Sequence, residues 1–549
     1  NSRETWTYDI GGRIITSTTR ASQMKTFSYD AQGRLVAEVW ADHAAPDSRY
    51  TYTTLGQLAT LDNGVAAVIY TYDAVGRVTS ETSTRAGQAP LTVGQGYDAS
   101  TGRRATLTYP SGAVASQTYS PRGEIASLSL DGASAATFGY DLAGQRTTTL
   151  RANGVKTTDT TDAAGQLLAV LHTLDTTTLA STHYELDTAG RRVAKTDESG
   201  WTEHYGYDAT GQLTNVDYLE SPAARQSTRR VDYAYDALGN RERLAEVDRA
   251  QQGPGRNTTT HYTANNLNPY TRLMIDSVAD TPTYNANGNL TRAQGVEYRY
   301  NAKNQLVEVT TATARMTQVH DPKGRVIERR YFTRGSQAQW MEDAARSLRL
   351  VYDPAWNVIE DRGLGDELRA RYVHGPRVDE ILRADLLTAD RSQLTSHYPL
   401  ADGLGSTAAL TDATGRVTQR FRADAYGAPT ALSPDFRPLS SEAAFRFLFT
   451  GREWLGIAGL QDNRYRVYSA ILGRWLQADP IHFQAKDHSL LRYVFNDPIS
   501  LTDAFGLICG CTNAPALFSF SSACDAYGNE TYLGTSLRCF CKCAGDDPW

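Results

Sequence analysis

Hydrophobic and polar residues alternate along much of the chain, as in the stretch YTYDAVGRVTSETS at residues 70–83. A period of two places successive side chains on opposite faces of an extended segment, so this pattern predicts β-strands with two distinct faces. Threonine, tyrosine and valine fit the pleated surface of such strands, whereas the many threonine and glycine residues disfavour helices. The sequence therefore predicts an all-β protein.

A short motif recurs along the first two thirds of the chain and divides these strands into units of about 20 residues. It reads Tyr-Asp-x-x-Gly, followed by arginine, glutamine or asparagine. Clear copies are anchored at Tyr8, Tyr29, Tyr72, Tyr140, Tyr207 and Tyr235, and degenerate copies at Tyr52, Tyr97, Tyr119, Asp162, Asp187, Tyr284, Tyr300, Asp321 and Tyr352. The aspartate can accept a hydrogen bond from an amide two residues on, and the glycine can adopt positive φ. One unit therefore predicts one β-hairpin.

The recurring aspartates and tyrosines also have functional interpretations. Aspartates near glycine occur in calcium loops, but one carboxylate per turn is too few for an ion that takes six to eight oxygen ligands. The tyrosines could stack on sugars, yet packing of the rings between hairpins explains them without a ligand. We favour turn formation for the aspartates and packing for the tyrosines.

Composition and charge exclude several classes of partner. The 549 residues carry a net charge of -6 with acidic and basic residues interspersed, and the mean hydropathy is -0.46. Such a surface gives no electrostatic footprint for nucleic acid or an anionic membrane. No run of about 18 apolar residues occurs, so no membrane-spanning helix is predicted. Because the chain begins inside a repeat and without methionine, we expect a fragment or a processed product.

The repeats resemble the YD repeats of Rhs proteins, of the C components of insecticidal toxin complexes and of teneurins. The resemblance covers residues 1 to about 360. It implies that the hairpins form a long β-strip that spirals into a hollow shell, a β-cocoon. The polar composition agrees with this, because a sheet with two fairly polar faces suits a solvated lumen better than a dry core.

Beyond residue 360 the repeats give way to four blocks that resemble the Rhs-associated core, which closes the shell. The blocks are RYVHGPRVDE, YPLADGLGSTAALTDATGRVTQRFRADAYG, FTGREWLGIAGLQDNRYRVYSAILGRWLQADP and LRYVFNDPISLTDAFGL. We therefore divide the chain into a YD-repeat shell at 1–360, an Rhs-associated core at 361–507 and a variable C-terminal segment at 508–549.

The resemblance to this core implies aspartyl autoproteolysis after the leucine of a terminal Asp-Pro-x-Gly-Leu motif. Carried over by position, the cut falls between Leu507 and Ile508. The residues expected to act are the aspartates Asp479 and Asp503 and the assisting arginine Arg466. The chain is then an enzyme at most in the sense of a single-turnover self-cleavage.

The self-cleavage chemistry can also be argued from the residues alone. Two carboxylates brought close together share a proton, so one can activate water while the other polarises the scissile carbonyl. An N-to-O or N-to-S acyl shift needs Ser, Thr or Cys directly after the cut, where Ile508 stands, and Cys509 comes one place too late. The sequence departs from the family pattern at Ala504, where proline is usual, and at residues 467–470, where VYSA replaces Tyr-Tyr-Asp-Pro. The alternative is that the aspartates cap turns and that Arg466 forms a surface ion pair.

The C-terminal segment differs from the rest of the chain because it holds all of the cysteines. A piece of 42 residues buries too little core to fold alone, so disulfides or a metal would be needed to order it. The spacing is C-x-C rather than C-x-x-C and the segment has no histidine, so we favour disulfides over zinc and assign no cofactor. The cysteines are Cys509, Cys511, Cys524, Cys539, Cys541 and Cys543.

Two functions are compatible with this sequence. The first is a toxin-type shell that encloses its own C-terminal segment and releases it by self-cleavage, with secretion machinery or a toxin-complex component as further partners. The second is a non-catalytic cell-surface protein for adhesion or carbohydrate binding, built on the same repeats. In either case the resemblance implies a secreted or cell-surface location, with no nucleic acid as partner.

Overall fold

The computed structural model describes residues 3–41, 45–220, 227–249, 256–336, 338–388, 390–439, 445–485 and 487–507, together with the backbone of four short strands beyond residue 507. Nearly all regular structure in these residues is β-strand. The strands form two long antiparallel meanders, followed by an irregular segment with a small sheet.

The first meander is a 25-stranded sheet in which each strand pairs with the next one along the chain. Its strands are β1 (Thr5–Tyr8), β2 (Ile14–Thr18), β3 (Met24–Tyr29), β4 (Leu35–Trp40), β5 (Ser48–Tyr52), β6 (Leu58–Asp62), β7 (Ala66–Tyr72), β8 (Val78–Arg85), β9 (Leu91–Tyr97), β10 (Arg104–Thr108), β11 (Val114–Tyr119), β12 (Ile125–Leu130), β13 (Ala133–Tyr140), β14 (Arg146–Arg151), β15 (Lys156–Thr161), β16 (Leu167–Leu174), β17 (Thr177–Leu186), β18 (Arg192–Asp197), β19 (Thr202–Tyr207), β20 (Leu213–Leu219), β21 (Arg229–Tyr235), β22 (Arg241–Asp248), β23 (Arg256–Ala264), β24 (Tyr270–Ile275) and β25 (Val278–Asp280).

The second meander is a 14-stranded sheet with the same neighbour-to-neighbour pairing. Its strands are β26 (Thr283–Tyr284), β27 (Leu290–Ala293), β28 (Val296–Tyr300), β29 (Leu306–Thr310), β30 (Ala314–His320), β31 (Val326–Arg334), β32 (Trp340–Tyr352), β33 (Val358–Arg362), β34 (Leu368–His374), β35 (Ile381–Leu387), β36 (Leu394–Ala401), β37 (Thr407–Thr411), β38 (Val417–Ala423) and β39 (Pro429–Leu432). Residue 360 therefore lies inside β33, and the meander continues to Leu432.

The Tyr-Asp-x-x-Gly motif forms the turn of each hairpin. At Asp73, one carboxylate oxygen accepts the amides of Val75 and Arg77 at 3.0 and 2.9 Å, and the other accepts Arg77 Nε at 2.7 Å. Gly76 has a φ of 90°, in the region that favours glycine. The predicted turn chemistry is confirmed, and the carboxylate is fully used by the turn itself.

In most copies of the motif, the tyrosine joins its own hairpin to the preceding one. Tyr97 donates its hydroxyl hydrogen to the carbonyl of Val78 at 2.7 Å, and the guanidinium of Arg77 lies 4.3 Å from the centre of the tyrosine ring. The same arginine, carbonyl and tyrosine arrangement recurs at Arg13, Ile14 and Tyr29, at Arg34, Leu35 and Tyr52, and at Arg191, Arg192 and Tyr207. Packing of the tyrosines between hairpins, as predicted, is confirmed.

The second meander lies against the first as the next turn of a spiral. Asn63 donates to the carbonyl of His320 at 3.1 Å across 257 residues, and Tyr109 donates to the carbonyl of Tyr372 at 2.8 Å across 263 residues. Other contacts of this kind join Asn153 to Thr411 and Arg422 to Asp197. The hairpins therefore wind into stacked layers, which confirms the predicted all-β spiral shell.

Buried apolar side chains form several separate clusters, some of them along the seam between layers. One cluster joins Val93 and Leu128 of the first layer to Val351 and Leu382 of the second. Seam clusters of this kind replace a single central core, which agrees with a wall around a lumen.

The segment after Leu432 packs against the first meander. It contains a four-stranded sheet and ends in a short strand. Arg192 donates to the carbonyl of Ile499 at 2.8 Å, and Asn268 donates to that of His488 at 3.1 Å. The strands of this segment are β40 (Glu453–Trp454), β41 (Leu460–Asn463), β42 (Arg466–Ser469), β43 (Arg474–Trp475) and β44 (Leu501–Thr502), and the backbone strands beyond are β45 (Cys511–Thr512), β46 (Ser521–Cys524), β47 (Glu530–Leu533) and β48 (Arg538–Cys539).

Candidate active site

Short strands of the last segment position the three side chains expected to act. Arg466 opens β42, Asp479 follows β43 after a short loop, and Asp503 comes directly after β44. Their exposed fractions are 0%, 1% and 3%. The structure therefore brings together residues that are up to 37 positions apart in a site closed to solvent.

Both carboxylates contact the same nitrogen of the arginine. Arg466 Nη2 lies 2.8 Å from Asp479 Oδ2 and donates to Asp503 Oδ2 at 2.9 Å. The guanidinium stacks on Trp475, with Cζ 4.1 Å from the ring centre. The Asp479 contact is a charge contact rather than an aligned hydrogen bond, since Oδ2 accepts no such bond among the described residues.

Both aspartates also bond to the backbone near them. Asp479 Oδ1 accepts the amide of Ile481 at 3.0 Å, and Asp503 Oδ1 accepts the amide of Leu507 at 3.0 Å. Each carboxylate therefore caps a turn as well as facing the arginine. The Asp503 bond has a further consequence, because it ties the residue before the expected cut to the pair of aspartates.

Burial sets the acidity of this group. It raises the pKa of Asp479 to about 6, and the negative charge of Asp503 adds to the rise while Arg466 opposes it. Burial also raises the pKa of Asp503 and lowers that of Arg466. Below about pH 6 the site can thus hold one proton between two carboxylates.

Four consecutive residues hold the four carbonyls that precede Leu507. Asn463 donates to the carbonyl of residue 503 at 2.7 Å, the Arg464 side chain to that of 504 at 2.6 Å, and the Tyr465 amide to that of 505 at 3.1 Å. Arg466 Nε donates to the carbonyl of residue 506. The segment 503–506 is therefore fixed along its whole length.

Gly506 allows this close approach. Its φ is 68°, and a Cβ atom there would lie 2.8 Å from the carbonyl oxygen of Asn463 and 2.9 Å from the amide of Arg466. Neither distance is tolerated by a larger residue without a backbone shift. This is the physical reason for glycine just before Leu507.

The predicted roles of these residues stay predictions, although their placement is clear. Arg466 is buried, so it does not form the surface ion pair considered as an alternative. Leu507 is buried beside Asp503. Ile508 and the cysteine side chains Cys509, Cys511, Cys524, Cys539, Cys541 and Cys543 lie outside the described residues.

Sequence reasoning missed several neighbours of the site. Tyr493 is fully buried, its ring lies 4.2 Å from that of Tyr468, and burial together with the charge of Asp503 raises its pKa. Asn463 and Arg464 bind the backbone ahead of Leu507. These residues lie inside the recognised blocks, but only the fold shows which of them reach the cut.

Two further properties bear on the candidate chemistry. Among the residues whose side chains are described, no group of three His, Cys, Asp or Glu could hold a metal ion. In the same part of the chain, no helix is long and apolar enough to cross a bilayer.

The stacked hairpin layers define the class of protein, a spiral β-shell, and the segment after Leu432 carries a buried pair of aspartates. The chain is similar to proteins of the Rhs/YD-repeat family. The model of the RHS Repeat family matches residues 187–220.

Curated relatives share the repeats at low identity. The toxin protein Tse5 of Pseudomonas aeruginosa is 25% identical over 87% of this chain, and the double-stranded DNA deaminase toxin A of Burkholderia cenocepacia is 24% identical over 64%. The tRNA nuclease WapA of Bacillus subtilis is 22% identical over 50% of the chain. The chain spans 39%, 24% and 11% of the lengths of these relatives.

Solved structures share the fold. The crystal structure of TcdB2-TccC3 superposes with a TM-score of 0.74 over 92% of this chain and 28% of that one, at 19% identity. The Photorhabdus luminescens Tc holotoxin pore, in a variant of TccC3, gives the same TM-score over 96% of this chain and 28% of that chain, also at 19% identity. This likeness confirms the predicted shell.

Proposed function

We propose that this chain is the shell of a toxin-type protein that encloses its C-terminal segment, residues 508–549, and cuts itself after Leu507. The observation that carries the proposal is the buried cluster of Asp479, Asp503 and Arg466, in which Asp503 also binds the amide of Leu507. In these terms, residues 1–360 form most of the wall, and residues 361–507 complete and close it and end in the self-cleaving site.

Self-cleavage uses one proton and one water molecule. Both oxygens of Asp503 are occupied, one by Leu507 N–H and one by Arg466, which favours its charged form. Asp479, with a pKa of about 6, is suited to carry the proton. Water adds to the Leu507 carbonyl carbon while one aspartate accepts its proton and the other protonates the carbonyl oxygen. As the C–N bond breaks, a proton passes to the nitrogen of Ile508, leaving a carboxyl on Leu507 and a free amine.

The direct test of cleavage is the intact mass of the purified chain. We expect two fragments that separate between Leu507 and Ile508, and a single full-length chain for Asp479→Asn and Asp503→Asn, because an amide can neither accept the proton nor share it. Asp497→Asn is the matched control. Asp497 is a buried aspartate of the same segment whose pKa burial also raises to about 6, and it makes no contact with Arg466 among the described residues.

The mass measurement also separates the proposal from its main alternative. A wild-type chain that remains intact after long incubation would leave a non-catalytic shell, as in an adhesion or carbohydrate-binding protein. Cleavage in both aspartate variants would show that other groups cut the chain.

The names of the relatives support a proposal for the cargo and the delivery route. Tse5 and the deaminase toxin A are named as toxins, and the fold is that of TccC3 in the toxin-complex structures. We infer that residues 508–549 occupy the lumen as cargo, that a secretion or toxin-complex component is the partner, and that the protein acts outside the cell that makes it.

A further inference from the structure

Arg464 joins the segment 503–506 to the shell wall through a charged side chain. Its Nη2 donates to Asp379 Oδ1 at 2.7 Å, and its Nη1 donates to the carbonyl of Ala504 at 2.6 Å. The guanidinium also covers the ring of Phe505, with Cζ 4.4 Å from the ring centre. One side chain therefore joins the wall to the two residues in the middle of the turn before the cut.

Asp379 is a fixed anchor for this arginine. It lies between β34 and β35 of the second layer, it is 8% exposed, and it also accepts from Arg452 at 2.8 Å. Burial alone would raise the pKa of Asp379, but Arg452 and Arg464 override burial and lower it. The carboxylate therefore stays charged and holds Arg464 over the working pH range.

The turn itself lacks a local restraint at Ala504. Alanine leaves the φ of that residue free, whereas proline would fix it near −65°. The amide of Ala504 donates no hydrogen bond among the described residues, so a proline there would remove none. The restraint at Ala504 itself comes from outside the turn, through the bond that Arg464 makes to the Ala504 carbonyl.

We propose that Arg464, anchored on Asp379, is the positioning residue for self-cleavage: it holds the turn 503–507 so that Leu507 stays at the two aspartates. The inference rests on the proposed function. It also makes that function dependent on the wall, since Asp379 belongs to the shell and not to the cleaving segment.

The test follows the cleavage rate of the full chain made by cell-free synthesis, with Arg464→Gln, Ala504→Pro and the double variant. We expect Arg464→Gln to slow cleavage about tenfold or more, because a charge-assisted bond that positions the reacting segment is lost. Ala504→Pro should then restore much of the rate in the Arg464→Gln background while changing the wild-type rate little, since proline fixes the turn that the arginine no longer holds. The inflections of the pH–rate profile should not move, because the aspartates are unchanged.

Arg446→Gln is the matched control. Arg446 also links the last segment to a wall aspartate, with Nη2 2.7 Å from Asp361 Oδ1, and it covers the ring of Phe447 at 4.6 Å. It makes no contact with residues 503–507 among the described residues, so its variant should cleave at the wild-type rate. Protease resistance of the shell checks folding in each case. If Arg464→Gln does not fold, Arg464→Lys replaces it, since lysine keeps the charge but not the forked donors.

Each outcome decides the inference. Wild-type cleavage with an equally fast Arg464→Gln variant would overturn the role of Arg464 and leave the proposed function intact. If Ala504→Pro changed the cleavage rate equally in both backgrounds, or if Arg446→Gln slowed cleavage as much as Arg464→Gln, Arg464 would act through general stability. Either result would also overturn the inference. A wild-type chain that never cleaves would overturn the proposed function, and the inference with it.

Discussion

One guanidinium faces two carboxylates at the candidate active site, so one negative charge is unmatched when both aspartates are ionised. All three side chains are buried, and a charge without a partner is costly there. A single shared proton brings the net charge of the group to zero. Burial raises the pKa values of Asp479 and Asp503 although each contacts Arg466, and the negative charge of Asp503 adds to the rise at Asp479.

The pH dependence of cleavage follows from this proton. The usual pKa of an aspartate is 3.8 and that of Asp479 is about 6, so the pair keeps its proton below about pH 6 and loses it above. We expect the first-order cleavage rate of newly made chain to fall as the pH rises through about 6. Because the cost of burying the charged form is full above that pH and relieved below it, the shell should also become more stable as the pH falls from 7 towards 4.

Asp497→Asn separates the two effects, since the pKa of Asp497 is also raised to about 6 by burial. This variant should flatten part of the stability change and leave the cleavage profile as it is. A cleavage rate that is constant between pH 4.5 and 8 would contradict a shared proton.

The residues of the candidate active site show how much could be predicted from the sequence. Asp479, Asp503 and Arg466 could be selected because their chemistry and their motif agree. Arg464 and Asp379 could not, because nothing in the sequence says that a loop near residue 379 lies beside residues 464 and 504. Their roles depend on the path of the whole spiral.

Neighbouring hairpins are cross-linked by an arginine–tyrosine contact that recurs along the first meander. The arginine that completes one turn stacks on the tyrosine of the next hairpin, and the hydroxyl of that tyrosine binds the carbonyl of the residue after the arginine. The wall therefore gains cohesion from side chains that the repeat itself supplies. Each hairpin depends chiefly on its neighbours along the chain, as expected of a repeat protein.

Tyr97→Phe tests the cross-link. The variant keeps the ring under Arg77 but loses the bond to the carbonyl of Val78, so we expect a loss of about 1 kcal/mol in the free energy of unfolding. Tyr8→Phe is the control, because Tyr8 belongs to the first repeat and no earlier hairpin precedes it among the described residues. Equal effects of both substitutions in denaturant titrations would argue against the cross-link.

Strands and turns could be predicted from the sequence because their signals are local. The turns at Asp402, Asp412 and Asp424 show the limit of that reasoning, since they carry the same Asp-x-x-Gly signature yet lie beyond residue 360, in blocks assigned to the core. In the structure they are hairpin turns of the same meander, which runs to Leu432. The local turn signature therefore continues past residue 360, into the blocks that resemble the core.

Polar contacts between layers hold the whole molecule together. Arg146 binds Glu380 through two nitrogens, at 2.9 and 2.5 Å, across 234 residues. Burial alone would raise the pKa of Glu380, but Arg146 overrides burial and lowers the pKa to about 2. The stability that this pair supplies is therefore present above the usual glutamate pKa of 4.5 and is lost only as the pH falls through about 2.

Glu380→Gln tests the seam. Removing the charge leaves Arg146 buried without its partner, so we expect a loss of about 2–4 kcal/mol in the free energy of unfolding at pH 7. Faster amide hydrogen exchange should concentrate in β14 and β35, the strands on either side of the seam. Asp435→Asn breaks an exposed ion pair with Arg437 and should change neither measurement. Uniformly faster exchange along the chain would contradict a local seam.

The long sequence separation between contacting layers determines when these contacts can form during synthesis. Hairpins can form as soon as their two strands have been synthesised, at about 5–20 residues per second on a ribosome. A seam contact such as that of Tyr109 with Tyr372 must wait for a further 263 residues. The aspartates come later still, and the segment that carries them contacts residues made earlier, such as Asp379 and Arg192. Under the proposed function, cleavage can therefore start only when the shell is complete, so the cargo is not freed before it is enclosed.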